Sequence, residues 1–177
     1  DFIKRGLILS GHDRSDGGII TTLLEMAFSG NKAIHIDMNI LENNIIDYLF
    51  NEELGFILEV DSNNYTSLYE SIIDICPVTI IGEVIEGNNI IITNTEPEEN
   101  EPSNEPSNEP SNEPSIILCE DMRVLRDYWE RTSFELEKKQ TNLECVKQEI
   151  KNIYTRKEIN YRSKIYEDYK NILENMN

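Results

Sequence analysis

Positive charge is in short supply in this sequence: 16 lysines and arginines face 34 aspartates and glutamates, a net charge of -18. That balance excludes non-specific binding to nucleic acid or to anionic membrane, both of which require a basic surface. Any phosphate ligand must be held locally, by backbone amides or through a metal ion. Cysteine is sparse as well. Cys76, Cys119 and Cys145 lie far apart, form no CxxC or other metal-like spacing, and are odd in number, a poor disulfide framework. A reduced, cytoplasmic compartment is expected. No apolar stretch approaches membrane-spanning length, and the first residues do not read as a signal peptide, so neither a membrane span nor a secretory leader is expected in this stretch. Hydrophobic residues make up 38% of the 177, below the share of ordinary soluble domains, so part of the length is expected to lie outside a core. The rest suffices for one ordinary core with an appendage. The first residue is Asp1 rather than Met, and residues 2–9 already read as the middle of an element. The sequence is therefore expected to be a fragment of something larger.

The densest chemistry lies in residues 6–30, GLILSGHDRSDGGIITTLLEMAFSG. Here His12, Asp13, Arg14, Ser15 and Asp16 crowd ahead of two glycines. Leu7–Leu9 fit a short buried strand. From Gly18 the period changes: Ile20, Leu23, Leu24, Ala27 and Phe28 fall on one helical face. Ser15 or Asp16 can cap the start of that helix, and Gly30 sits where a left-handed C-cap glycine belongs. Residues 33–38 alternate, with Ile34, Ile36 and Met38 on one face of a half-buried strand. A short helix follows around Ile45, Ile46, Leu49 and Phe50, and Gly55 turns the chain into another strand. Asp61 or Ser62 can cap a helix carrying Tyr65, Leu68, Tyr69, Ile72 and Ile73. Residues 78–86, a Gly87-Asn88-Asn89 turn and residues 90–94 read as a hairpin.

Residues 101–115 repeat E-P-S-N and contain no apolar side chain. Such a segment buries too little surface to offset backbone entropy and is expected to be disordered. The β-like runs on either side, 90–94 and 116–120, suggest that it enlarges a hairpin turn, which a sheet tolerates because closure entropy grows slowly with loop length. After Asp121 the pattern is helical, with Val124, Leu125, Tyr128 and Trp129 on one face and a possible break near Thr132-Ser133. From Leu143 onward it is charged and helical, with a thin apolar face that includes Ile165, Tyr169, Ile172 and Leu173.

The blocks GHDRSDGG, LLEMAFSGN and LFNEELGFILEV resemble the second synthetase half of the phosphoribosylformylglycinamidine synthase family, enzymes of purine biosynthesis. RVLRDYWERTSFELEKKQTNLECVKQE is similar to the segment that ends that half, just before the family's glutaminase domain. The resemblance covers roughly residues 5–150, interrupted by the acidic insert, with several blocks in the family's order. A lone HDxSxGG would support only the wider superfamily that includes aminoimidazole ribonucleotide (AIR) synthetase.

The resemblance implies an α+β fold: a mixed β-sheet with helices packed on it, as in the C-terminal domain of AIR synthetase, plus a helical C-terminal extension. The implied domains are residues 1–120, with 95–115 as the disordered insert, then a helical segment 121–155 leading towards the glutaminase, and a helical or partly disordered tail 156–177. It implies an ATP-dependent, glutamine-using ligase converting formylglycinamide ribonucleotide to the amidine. In that reaction the amide oxygen is activated by phosphoryl transfer, and ammonia displaces the phosphate. The implied partners are a nucleotide, the small-molecule substrate and the rest of the same polypeptide, namely a first synthetase half and a glutaminase domain. Nucleic acid and membrane are not among them. The implied cofactors are Mg2+ and ATP or ADP. The piece would contribute to a magnesium–nucleotide site and be inactive alone, with no catalytic residue of its own.

Physical reasoning agrees for the opening cluster. A helix N-terminus carries unsatisfied N–H groups and partial positive charge, and glycines leave backbone open to approach. Magnesium takes hard oxygen ligands and commonly bridges one or two carboxylates to phosphate. By resemblance Asp13 matches a magnesium ligand and Ser15 a nucleotide contact, while Gly17 and Gly18 match the phosphate-side turn. His12 and Arg14 receive auxiliary roles. The same residues also fit a plain N-cap and glycine turn with solvated charges.

Elsewhere the bland readings prevail. His35 reads as an exposed histidine, Glu52 and Glu53 fit a helix end near Gly55 as well as a ligand contact, and Trp129 and Phe134 read as core. Cys145 reads as structural, since a glutaminase nucleophile needs a strand-to-helix elbow and a histidine partner. Two other functions compete with the ligase. One is a degenerate acidic binding or scaffold module, motivated by the EPSN repeats and the helical tail. The other is a different enzyme of the AIR synthetase superfamily, against which the WERTSFELEKKQ block speaks.

Overall fold

The computed structural model describes residues 2–40, 44–95 and 113–155. In chain order the elements are β1 (Ile8–Arg14), α1 (Gly18–Gly30), β2 (Ala33–Asp37), α2 (Ile45–Phe50), β3 (Gly55–Val60) and α3 (Tyr65–Ile72), followed by β4 (Gly82–Ile85), β5 (Asn89–Asn94), β6 (Ser115–Asp121), α4 (Met122–Gln140) and α5 (Leu143–Ile153). Two sheets result: an antiparallel β1–β3 ribbon and a mixed four-stranded sheet in the order β4-β2-β5-β6. The expected α+β class is met. The chain divides into two compact units, Asp1–Trp129 and Glu130–Asn177. Most of the insert and the whole of the 156–177 tail, for which disorder or helix was expected, lie outside the described residues.

The core of the first unit forms where the β-branched runs meet the helical face. Ile34, Ile36 and Met38 beside β5's Ile90 and Ile92 pack under Ile19, Leu23, Ala27 and Phe28 of α1, closed by Ile45 and Leu49 of α2 and by Met122. Each fully buried aliphatic side chain contributes about 1.5–3 kcal/mol relative to exposure. The alternation in β2 and the periodicity of α1 therefore translate directly into packing. The caps of α1 differ from expectation. Gly17, at φ 83, is the N-cap with no side-chain hydrogen bond, and Asn31 rather than Gly30 takes the left-handed C-cap position. Asp61 holds the turn ahead of α3, its carboxylate accepting the Asn63 N–H at 2.8 Å, and the N-cap itself is Asn64.

Two strand expectations are overturned. Residues 7–9 are not a self-contained buried strand: β1 runs on through Arg14, and Leu9 is exposed. The 78–94 hairpin does not pair either. β4 pairs antiparallel with β2, and β2 pairs parallel with β5, so β2 lies between the two expected partners. Residues 86–88 need only span two strand spacings, about 9.5 Å, which a short link covers. The reason lies in burial. Ala33 and Ile34 are both buried, so β2 needs cover on its two faces and takes an interior position. In β4, Glu83 and Val84 are exposed, which suits an edge.

β5 and β6 do pair antiparallel on either side of the insert, from Asn89↔Asp121 to Asn94↔Ser115. The stem is fastened at its open end. The buried Asn94 side chain accepts the Ile40 N–H at 2.9 Å and donates to the Ile40 carbonyl at 2.8 Å. The Thr95 N–H reaches Asp37 Oδ1 at 2.9 Å. His35 is not simply exposed: it is half-buried, with Nε2 3.2 Å from Thr93 Oγ1.

α4 is continuous through Thr132-Ser133, where a break was expected, and Trp129 is half exposed rather than core. In the second unit, Asn142 caps α5 by accepting the Glu144 N–H at 2.9 Å. A hydrogen bond from Lys138 and its charge hold the Glu135 carboxyl below the usual carboxylate range. Cys76, Cys119 and Cys145 are free and exposed.

Candidate functional site

The opening cluster spans the end of β1, the turn and the start of α1. β1 continues through Arg14, so His12 and Asp13 are both strand residues. His12 looks towards α1, with Nε2 3.2 Å from Glu25 Oε2, while Nδ1 lies 2.7 Å from the Asp13 carbonyl oxygen. Asp13 pairs across the ribbon with the exposed Phe56 of β3; its side chain is 66% exposed, with Oδ1 3.4 Å from His12 Nδ1. Its carbonyl is anchored from below by the Thr22 hydroxyl at 3.3 Å.

The turn that follows is built on glycine. Gly17 and Gly18 both have positive φ, 83 and 75. The Gly18 N–H donates to the Ser15 carbonyl at 3.0 Å. Gly18 is buried, and a Cβ there would lie 2.6 Å from the Leu49 carbonyl oxygen. The bare backbone at Gly18 therefore accommodates α2. That approach delivers residues 51–54 onto the motif. The Gly17 N–H donates to Glu52 Oε1 at 2.8 Å, and Arg14 Nε donates to the Glu53 carbonyl at 2.5 Å. Arg14 Nη2 is 3.7 Å from Glu53 Oε2, with the arginine side chain only 17% exposed.

All six residues singled out in the sequence thus meet in one corner, but in different roles. Asp13 and Ser15 are exposed. Gly18 is taken up by packing, Arg14 by Glu53, and the Gly17 amide by Glu52. Glu52 and Glu53 are closer to the cluster than a helix-end role implied. The signal available in the sequence was a pair of carboxylates directly after a helix whose partner begins with glycine. Among the described residues no group of three or more His, Cys, Asp or Glu is arranged to hold a metal ion by itself. A cation here would take one carboxylate, Asp13, and complete its octahedron from phosphate, water or chain outside this one, which suits magnesium.

A family model described as AIR synthase related protein, C-terminal domain, matches residues 1–94. Probable phosphoribosylformylglycinamidine synthase, chloroplastic/mitochondrial, of Arabidopsis thaliana is 35% identical over 160 residues, covering 90% of this chain and 10% of the relative. The phosphoribosylformylglycinamidine synthase of Dictyostelium discoideum is 35% identical over 165 residues, 87% of this chain and 11% of its own length. The human enzyme of that name is 30% identical over 154 residues, 87% of this chain and 10% of its own. Among solved structures, T. maritima PurL complexed with ADP superposes with a TM-score of 0.52 at 13% identity, over 70% of this chain and 19% of that one. T. maritima PurL complexed with FGAR gives 0.51 at 14%, with the same coverage. At these identities the structural likeness is one of fold. The chain spans about a tenth of the length of the curated relatives it matches.

Proposed function

The chain belongs to the family of AIR synthase related proteins, through their C-terminal domain, and on that footing we propose that it is one portion of a phosphoribosylformylglycinamidine synthase, a purine-biosynthetic ligase using ATP and glutamine. Within that enzyme the corner between β1 and α1 helps hold a magnesium-bound nucleotide, ATP or ADP. Asp13 supplies one carboxylate to the cation and Ser15 contacts the nucleotide, with Gly17 and Gly18 shaping the turn and His12 and Arg14 auxiliary to it. The metal lets an acidic surface carry an anionic ligand. Glutamine hydrolysis and the remaining ligands come from other parts of the polypeptide, and the piece is inactive alone. Three exposed thiols suit a reducing, cytoplasmic setting.

The observation that carries this reading is the outward Asp13 carboxylate, four residues ahead of a double-glycine helix start, in a chain of this family. The test is Asp13→Ala in the intact polypeptide, with Mg·ADP binding measured by calorimetry. Affinity should fall by on the order of 10–100-fold, the range seen when support of a bound metal is removed. Unchanged affinity would remove Asp13 from the site.

A further inference from the structure

The segment after α2 carries two carboxylates that neither pack in the core nor pair with each other. We infer that Glu52 is a positioning residue for the site proposed above, and the inference rests on that reading. Glu52 is exposed, so apolar burial does not explain its placement. Its Oε1 accepts the Gly17 N–H at 2.8 Å, a charge-assisted bond to the residue where strand turns into helix. One position on, the Glu53 carbonyl accepts from Arg14 Nε at 2.5 Å, and the Glu53 N–H is itself held by Asn51 Oδ1 at 2.8 Å. A single short segment therefore fastens both ends of the stretch Arg14–Gly17, with Ser15 and Asp16 exposed between the two attachments.

The stretch needs such fastening. Gly17 and Gly18 have more conformational freedom to lose than any other pair, and an unpinned turn would order only when ligand binds. Holding it in advance spares that cost and is a general route to affinity. The same bond restricts where phosphate can sit. A carboxylate occupies the Gly17 amide and repels an anion there, so the phosphates must approach from the Asp13 side of the turn, through the cation, rather than onto the Gly17 amide. Glu52 touches neither ligand nor metal in this arrangement; it acts through the backbone that carries Ser15.

The test uses the intact polypeptide, with Mg·ADP affinity from calorimetry and the Mg2+ midpoint at fixed ADP. Glu52→Ala should weaken Mg·ADP by roughly three- to tenfold, as expected for one lost hydrogen bond, and raise the Mg2+ midpoint. Glu52→Gln, which keeps an acceptor oxygen, should retain most of the affinity. Glu52→Asp, whose acceptor stops one methylene short, should behave like the alanine variant and serves if that variant does not fold. Wild-type or tighter binding by Glu52→Ala would overturn the inference, tighter binding marking Glu52 as a competitor of the phosphate. Equal losses in the alanine and glutamine variants would overturn it too, because removal of charge would then account for both. If Asp13→Ala also binds normally, the site reading itself fails; if only the Glu52 variants do, that reading stands.

Discussion

At Gly18 an added methyl group would lie 2.6 Å from the Leu49 carbonyl oxygen and 2.7 Å from Phe50 Cα, on a backbone already at φ 75. Both terms oppose any side chain, so Gly18→Ala should destabilise the first unit by about 2–4 kcal/mol, the sum of a left-handed penalty and overpacking. The measurement is denaturant-dependent proteolysis of the intact polypeptide, where the variant should be cleaved at lower denaturant; an unshifted midpoint would refute the packing role. In the sequence this glycine was readable as one that mattered, but not why. A glycine bared for a ligand and a glycine bared for a neighbouring helix leave the same letter, and only the position of α2 separates them. His12 and Asp13 show the converse. The sequence leaves His12 auxiliary to Asp13, and the structure puts its ring between two carboxylates, Nε2 3.2 Å from Glu25 Oε2 and Nδ1 3.4 Å from Asp13 Oδ1, contacts that sequence spacing does not announce.

At the scale of elements, α1 is tied at its far end by a residue of α4. Arg126 Nη1 donates to the Phe28 carbonyl at 2.8 Å and to Asn31 Oδ1 at 3.2 Å, adding a second donor to a last-turn carbonyl and holding the side chain of the C-cap residue. A cation there also complements the helix dipole. Arg126→Ala should loosen the last turn by about 1–2 kcal/mol. Hydrogen exchange at the Asn31 and Lys32 amides, which donate to Phe28 and Ala27 carbonyls, should then accelerate by roughly tenfold. Unchanged exchange would show that Arg126 does not hold the cap. Helices α1, α2 and α3 and strands β2, β3, β5 and β6 were legible because local periodicity and turn residues decide them. The partner of β4 was not. Turn chemistry at Gly87 argues for a local hairpin, while the choice of neighbour depends on which strand needs both faces covered, a property spread over the whole sheet.

At the scale of the molecule, the described residues leave many large apolar side chains in solvent. On the β1–β3 ribbon Leu9, Phe56 and Leu58 are exposed, and Leu54 just ahead of β3 is 97% exposed; Ile75, Ile80, Ile116 and Tyr128 add to them. Patches of this kind usually mark surfaces that other protein covers, and the chain spans about a tenth of the length of the curated relatives it matches. Expressed alone, the 177-residue chain should bind a hydrophobic dye such as ANS and self-associate as concentration rises. A dye-silent monomer at every concentration would show the faces to be tolerated in water. Sequence patterning announces such apolar faces but not their cover, which is why Trp129 reads as core yet is half exposed.

The interposed strand has one more consequence, for the order of events during synthesis. A ribosome that has released β2 cannot yet begin the larger sheet, because both neighbours of Ile34, Val84 on one side and Ile90 on the other, are still to come. β4 can take one edge of β2 once Ile85 is made, but the other edge stays open until the growing chain clears Asn94, with α1 and α2 the helices already available to cover its apolar face.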